Sequence, residues 1–160
     1  MGLLNVAVYA VVFFDAKLYA DMGLQGIYFA LCLYGWWAWL RGGAAHGRLV
    51  VSRAPRAVLA ACALAGVVFA AAIGIFLHAK TDAALPYWDG FIFAGSVASQ
   101  WLQARKALEN WIGWIVVNSI AIGVYWAKDL YWFAVLYFLF WLMAWGGLRA
   151  WRRSGGTAHD

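Results

Sequence analysis

The sequence predicts an all-α integral membrane protein, a polytopic bundle of about six transmembrane helices. Of its 160 residues, 66% are hydrophobic and only 12% are charged, whereas soluble domains carry about 25% charged residues. A helix crosses the hydrocarbon in about 20 residues, and apolar runs near that length alternate here with short charged connectors. This composition excludes an ordinary soluble domain.

The charged and reactive residues lie mainly in the connectors. The net charge of +5 is therefore explained by membrane orientation rather than by a nucleic-acid partner. Cys32 and Cys62 lie inside apolar runs, where thiols act as small hydrophobic groups, and no histidine has metal-ligand spacing. We expect no metal, no cofactor and no catalytic residue, and hence no enzyme, although an intramembrane enzyme is an alternative.

The apolar runs define the predicted elements in order. Residues 1–40 hold a short run over 2–14 and a longer one over 18–40, and residues 41–56 form a basic loop that contains Pro55. Residues 57–77 form a linker helix with two small-residue ridges, which allow close helix contact. Residues 83–151 hold helices over 87–103, 111–127 and 130–148, with Pro86 in a first helical turn, and residues 152–160 form a tail. The two ridges are Ala57, Ala61 and Ala65, and Gly66, Ala70 and Gly74.

The basic residues predict the orientation, because cytoplasmic loops carry an excess of lysine and arginine. With six alternating helices and the basic loop inside, the outside turns hold only Lys17, Lys80 and Lys128. The inside segments hold Arg41, Arg48, Arg53, Arg56, Arg105, Lys106, Arg149, Arg152 and Arg153. We therefore expect a cytoplasmic C-terminus.

A weak internal repeat relates the first helices to the last. At one constant offset, Leu18-Tyr19 aligns with Leu130-Tyr131, Gly35 with Gly147, Trp39 with Trp151 and Arg41 with Arg153. Parallel repeats about an axis along the membrane normal are a transporter architecture. The second copy has three helices and the first has two, so we expect parallel three-helix repeats whose first copy lacks an N-terminal helix; a chance match is the alternative.

Two segments carry distinctive polar patterns within apolar helices. They are YADMGLQGIYFALCLYGWWAWLRGG and SQWLQARKALENWIGWIVVNSIAIGVYWAKDLYWFAVLYFLFWLMAWGG, and the most specific patterns are Gln-x-Leu-x-x-Arg-Lys and Glu-Asn-Trp-x-x-Trp. These segments resemble the PnuC-type nicotinamide riboside transporters. The resemblance implies a seven-helix fold similar to that of SWEET transporters, a trimer, and vitamin nucleoside uptake across the bacterial inner membrane. It further implies facilitated diffusion with phosphorylation trapping the substrate. Related branches carry thiamine or riboflavin, and the chain departs from the family at its N-terminus.

A flat pyridinium nucleoside needs aromatic faces and amide partners. Indoles stack on planar cations, and amides both donate and accept hydrogen bonds. The candidate substrate-binding residues are Trp36, Trp39, Gln100, Asn110, Trp111, Trp114 and Asn118. Interfacial tryptophans and interhelical amide hydrogen bonds are the alternatives.

The positions of the charged residues limit which substrates and which kind of transport we expect. Lys106 and Glu109 form a possible gate, or only a solvated end of the hairpin. No lysine or arginine lies mid-helix to neutralise a phosphate, and no acid lies at the midplane, which favours uniport of an unphosphorylated substrate. A scaffold subunit that transports nothing is the alternative from another functional class.

Overall fold

The computed structural model describes residues 19–42, 49–80 and 84–155. The helices of these residues are α1 (Tyr19–Arg41), α2 (Arg56–Lys80), α3 (Pro86–Ala104), α4 (Asn110–Ala127) and α5 (Tyr131–Gly155). This confirms the all-α prediction. The expected run over 2–14 lies outside the described residues, as does any helix before it.

Three of the helices are long and apolar enough to cross a membrane, judged over the described residues. These are α2, α4 and the segment Tyr131–Arg153 of α5. Their sequences are the linker helix and the last two helices expected above. The chain is thus a helical membrane protein in structure as well as in composition.

The chain divides into two compact units, Met1–Val50 and Val51–Asp160. In the first unit, α1 ends with the amide of Gly42 donating to the carbonyl oxygen of Ala38 at 2.8 Å. In the second unit, α2 packs on α3, α3 on α4 and α4 on α5. Short connections place these sequence neighbours side by side, as in an up-and-down bundle.

Small residues set the contact between α2 and α3. Ala70 and Gly74 are buried, and a Cβ atom added to Gly90 would lie only 2.5 Å from the carbonyl oxygen of Ala70. Close approach of helix backbones needs such residues. Ala70 and Gly74 of the second ridge therefore pack on α3, whereas Gly66 has open space around it and the ridge that begins at Ala57 is exposed.

Each face of α4 packs differently. Towards α3, an added Cβ on Gly113 would overlap Ser99, and Val117 and Ala121 join Ile92 in a buried apolar cluster. Towards α5, Tyr125 stacks on Tyr137 with ring centroids 5.1 Å apart. The helix is held by close backbone contact on one side and by aromatic rings on the other.

The last helix is longer than the sequence indicated. The apolar run ends near Leu148, but α5 continues through Arg153 to Gly155. Arginine favours helix, and cations are favourable at a helix C-terminus. The ring of Trp151 also packs edge-on against Trp111, with centroids 5.3 Å apart, which holds this extra turn against α4.

The two ends of the second unit differ in charge. Ser52 and Trp151 contact the α3–α4 turn and the start of α4, so their neighbouring arginines lie at the same end. At the opposite end, Lys128 is paired with Asp89 at 2.7 Å. The described arginines of this unit, all at the first end, are Arg53, Arg56, Arg105, Arg149, Arg152 and Arg153.

Candidate functional site

The α3–α4 turn is tied to the segment that precedes α2. The amide of Ser52 donates to the carbonyl oxygen of Lys106 at 3.1 Å, and the amide of Leu108 donates to Ser52 at 2.8 Å. Glu109 Oε2 accepts from the amide of Ala54 at 2.9 Å. These bonds hold the start of α4, where the candidates Asn110, Trp111 and Trp114 lie, in a fixed position.

Lys106 and Glu109, the expected gate, both lie in this turn. Lys106 adopts a left-handed backbone conformation with φ of 52°, which is uncommon for a residue with a side chain. The carboxylate of Glu109 is engaged by the backbone amide of Ala54. In this conformation Glu109 serves to anchor the turn, and a gating role for the two residues stays a prediction.

Asn110 is the largest fully buried side chain of the described residues. Its Nδ2 donates to the carbonyl oxygen of Ala107 at 2.6 Å. Its Oδ1 is buried and finds no hydrogen-bond partner among the described residues. Leaving a buried acceptor unpaired costs about 1–3 kcal/mol, so this oxygen is poised to accept a hydrogen bond.

Trp111 lies at the same turn of α4. Its ring sits over Gly147, where any added Cβ would overlap it, and against the edge of Trp151. Its Nε1 is buried without a partner in the described part of the chain. The start of α4 therefore carries an unpaired acceptor on Asn110 and an unpaired donor on Trp111, at consecutive positions in the sequence.

Trp114 is fixed by a residue that the sequence did not single out. Its Nε1 donates to Oε1 of Gln103 at 2.8 Å, across the α3–α4 hairpin. The two residues are eleven positions apart, so no local spacing indicates the bond; the register of the hairpin alone would have found it. Gln103 holds the orientation of the Trp114 ring.

Gln100 and Asn118 lie along the same hairpin. Gln100 follows Ser99, which packs against Gly113, so it lies on α3 near the level of the first turn of α4, and its role in the site stays a prediction. Asn118 is buried, with 3% of its surface exposed. It lies seven residues from both Trp111 and Tyr125, which contact α5, so helical periodicity puts Asn118 on the same face.

Trp145 is a further residue of interest that is not among the candidates from the sequence. It is half-buried on α5 and meets Trp141 edge-on with centroids 5.9 Å apart. Its Nε1 is also buried and unpartnered within the described residues. Like Trp111, it offers an indole donor with no protein acceptor in the described regions.

Trp36 and Trp39 lie on α1, in the first unit, and are described separately. Trp36 is 60% exposed, and Trp39 is half-buried. The carbonyl oxygen of Trp39 accepts from the amide of Leu49 at 3.1 Å. The candidates Asn110, Trp111 and Trp114 thus lie in the first turns of α4, and Gln103 bonds Trp114. These contacts do not test the two α1 tryptophans.

The site offers aromatic surfaces and neutral hydrogen-bonding groups rather than charges or nucleophiles. Among the described residues, no group of three or more histidine, cysteine, aspartate or glutamate side chains could hold a metal ion. Indole faces and neutral amides suit reversible recognition of a planar, polar small molecule.

Comparison with known proteins finds transporters that are similar to nearly the whole chain. A protein-family model described as "Nicotinamide mononucleotide transporter" matches residues 1–153. The chain is 28% identical to the nicotinamide riboside transporter PnuC of Escherichia coli (strain K12), covering 96% of this chain and 74% of the relative. It is 28% identical to the riboflavin/roseoflavin transporter RibM of Streptomyces davaonensis, covering 86% of this chain and 66% of the relative.

A solved structure shares the fold. The crystal structure of the vitamin B3 transporter PnuC superposes with a TM-score of 0.66 at 25% identity, over 95% of this chain and 69% of that one. The expected resemblance is confirmed by both sequence and structure. The chain belongs to the nicotinamide mononucleotide transporter family, the family of the PnuC-type membrane transporters.

Proposed function

We propose that the protein transports nicotinamide riboside across the bacterial inner membrane by facilitated diffusion, with the start of α4 as part of its substrate site. Trp111 and Trp114 stack on the pyridinium ring, while Asn110, Asn118 and Gln100 bond its carboxamide and ribose hydroxyls. Trp36 and Trp39 of α1 stay proposed stacking residues. The protein catalyses no reaction, and phosphorylation elsewhere in the cell traps the substrate.

The observation that carries this proposal is the pair of unpaired polar atoms at the start of α4. Asn110 Oδ1 and Trp111 Nε1 are buried next to one another in sequence and lack partners among the described residues. A ligand that donates to one and accepts from the other would offset their desolvation. A carboxamide does both, and it is attached to a planar cation that indole rings favour.

The distribution of charge favours the riboside over its phosphorylated form. In the second unit, the described arginines and lysines lie at the two ends of the bundle, and Lys128 is already paired with Asp89. A phosphate inside a membrane needs cationic partners. The helix interiors described here offer it neutral amides and indoles, which suit an uncharged ribose.

Riboflavin is the second candidate substrate. The Streptomyces relative that matches 86% of this chain is named as a riboflavin/roseoflavin transporter. Its planar ring system can stack on the same tryptophans, but it carries no fixed positive charge. The two substrates therefore differ in the cation–π contribution, which a direct comparison of affinities measures.

The proposal is tested by calorimetric titration of the purified chain with nicotinamide riboside, nicotinamide mononucleotide, riboflavin and thiamine. We expect the riboside to bind, and the mononucleotide to bind at least about tenfold more weakly for want of a buried cation. Tighter binding of riboflavin would reassign the substrate. No binding of any vitamin would favour a scaffold subunit.

The proposed topology rests on the unequal number of arginines at the two ends of the bundle. We infer that the arginine-rich end, including the C-terminus, faces the cytoplasm, and that the chain assembles as a homotrimer, as its resemblance to the PnuC-type transporters implies. A cysteine at position 154 should stay unlabelled by an impermeant maleimide added to intact cells and react after lysis. Labelling in intact cells would contradict this topology.

Mass measurement of the detergent-solubilised complex tests the trimer.

A further inference from the structure

A groove runs along α3 in the second unit, away from the α4–α5 contacts described above. It has a volume of about 390 Å³ and an almost wholly apolar lining. Its walls come from α2 and α4, which pack on either side of α3. Residues on its wall and floor include Leu59, Ala63, Gly95, Ala98, Leu102 and Ile112.

The groove exists because α3 presents small residues between two helices. Gly95 and Ala98 line it, and no side chain larger than a methyl group rises from these positions. The opposite end of α2 is drawn close to α3 through Gly74 and Gly90. The gap therefore opens towards the arginine-rich end of the bundle.

The dimensions of the groove match one leaflet of a bilayer. Its lining extends along α2 from Leu59 to Val67, about 12 Å at 1.5 Å per residue, and along α3 from Phe91 to Leu102, about 16 Å. Half of a hydrocarbon core is about 15 Å. An acyl chain that enters from the arginine-rich end would reach the middle of the membrane.

The charges at the mouth fit an anionic head group. Arg53 and Arg56 are exposed and flank Ala54, whose amide bonds the carboxylate of Glu109 at the groove lining. Arg105, also exposed, follows α3 and lies over the Trp101 ring at 4.7 Å. The carboxylate of Glu109 is thus outnumbered by guanidinium groups at this end.

The opposite end is less basic among the described residues, where Lys80 is the exposed lysine of α2. A smaller apolar recess of about 250 Å³ continues past Val67 and Phe91 to Tyr87 and Trp88. There Lys128 is already paired with Asp89. A phosphate therefore gains more at the arginine-rich mouth, which sets the direction in which a lipid would occupy the groove.

We propose that this groove binds an anionic phospholipid of the inner leaflet, with an acyl chain between α2 and α4 and its phosphate at Arg53 and Arg56. Basic pockets between transmembrane helices on the cytoplasmic side bind anionic head groups in this way. The lipid holds α2 against the hairpin that carries the substrate site.

Native mass spectrometry of the full chain in detergent tests this with dioleoyl phosphatidylglycerol and dioleoyl phosphatidylethanolamine. We expect retained adducts of the former only. Each of Arg53→Gln and Arg56→Gln should weaken its binding about fivefold, whereas Lys80→Gln at the other end should not. Equal retention of both lipids, unaffected by the arginine variants, would overturn the proposal.

A second pair of variants tests the groove itself. Ala63 is exposed and lines the groove, so Ala63→Trp should fill it and abolish the adduct without disturbing the core. Ala65→Trp, on the same helix but outside the lining, should leave the adduct unchanged. If Ala63→Trp instead breaks an oligomer and leaves lipid binding intact, the groove is a contact between copies of the chain and the lipid proposal fails.

Discussion

The two halves of α4 differ in the groups that they bury. The first half, from Asn110 to Trp114, carries buried polar atoms without partners in the described regions, and its indole rings are oriented by neighbours. The second half, around Ala121 and Val124, closes a fully apolar cluster with Ile92. The unpaired polar groups of the first half lower the free energy of unfolding, and the apolar surface that the second half buries raises it.

This difference predicts that substitutions in the two halves separate binding from stability. Unpaired polar groups and stacking faces contribute to ligand affinity, whereas buried methyl groups contribute to the free energy of unfolding. Because both halves belong to one helix, membrane insertion and expression affect them equally. Variants along α4 therefore serve as controls for each other.

The largest expected effect is the loss of affinity in Trp111→Ala. Stacking on an aromatic ring contributes about 1–3 kcal/mol, so the dissociation constant for nicotinamide riboside should rise about 5- to 150-fold. Calorimetric titration below the melting temperature measures it. Trp132→Ala is the matched control, since Trp132 is 88% exposed, and it should bind normally. An unchanged dissociation constant in Trp111→Ala would remove this residue from the site.

A comparable effect on stability is expected from Ala121→Leu. Ala121 is fully buried at 0% exposure, and overpacking costs about 1–3 kcal/mol, which lowers the melting temperature by about 2–12 °C. Gly123→Leu is the control, because Gly123 is exposed with open space around it. Equal melting temperatures in the two variants would show that the second half of α4 is not the tightly packed one.

Asn110→Ala distinguishes a ligand contact from a structural one. The change removes the bond from Nδ2 to Ala107, but it also removes the unpaired Oδ1, and Ala107 keeps the backbone amide of residue 110 as donor. Affinity should fall about 2- to 12-fold for one hydrogen bond, with no loss of melting temperature. A fall in both together would assign Asn110 to holding the hairpin only.

The smallest effect is expected from Lys128→Gln at the far end of α4. The ion pair with Asp89 is partly solvated, with side-chain exposures of 18% and 28%, and such pairs contribute about 0–1 kcal/mol. The melting temperature should change by less than about 4 °C, and affinity should be unaffected. A large loss of affinity would mean that this pair is coupled to the substrate site.

Much of this architecture follows from composition. Apolar runs placed the five described helices to within a few residues except at the end of α5, and small-residue spacing found the Gly74 face of α2. The extension of α5 to Gly155 was not foreseen, because hydropathy stops at Leu148 while the helix is held by the Trp151 ring against Trp111. Such a tertiary contact leaves no local signal in the sequence.

The candidate site shows the same limit. Polar residues within apolar helices indicate Asn110 and Asn118, both of which are buried. A shared face for Trp111 and Trp114 stays a prediction, because Trp111 packs against α5 and Trp114 bonds Gln103 of α3. Gln103 and Trp145 were missed, because their roles depend on which residue lies across a hairpin or an interface. The unpaired atoms of Trp111 and Trp145 become visible only once burial is known.

The most direct test of the division of α4 is a paired measurement of riboside affinity and melting temperature on Trp111→Ala and Ala121→Leu, purified side by side. The account predicts that Trp111→Ala loses about 5- to 150-fold in affinity where it is fully folded. It predicts that Ala121→Leu binds within about twofold of the parent despite its lower melting temperature. If affinity instead falls in proportion to melting temperature in both variants, the start of α4 is not a binding site and its tryptophans serve only the fold.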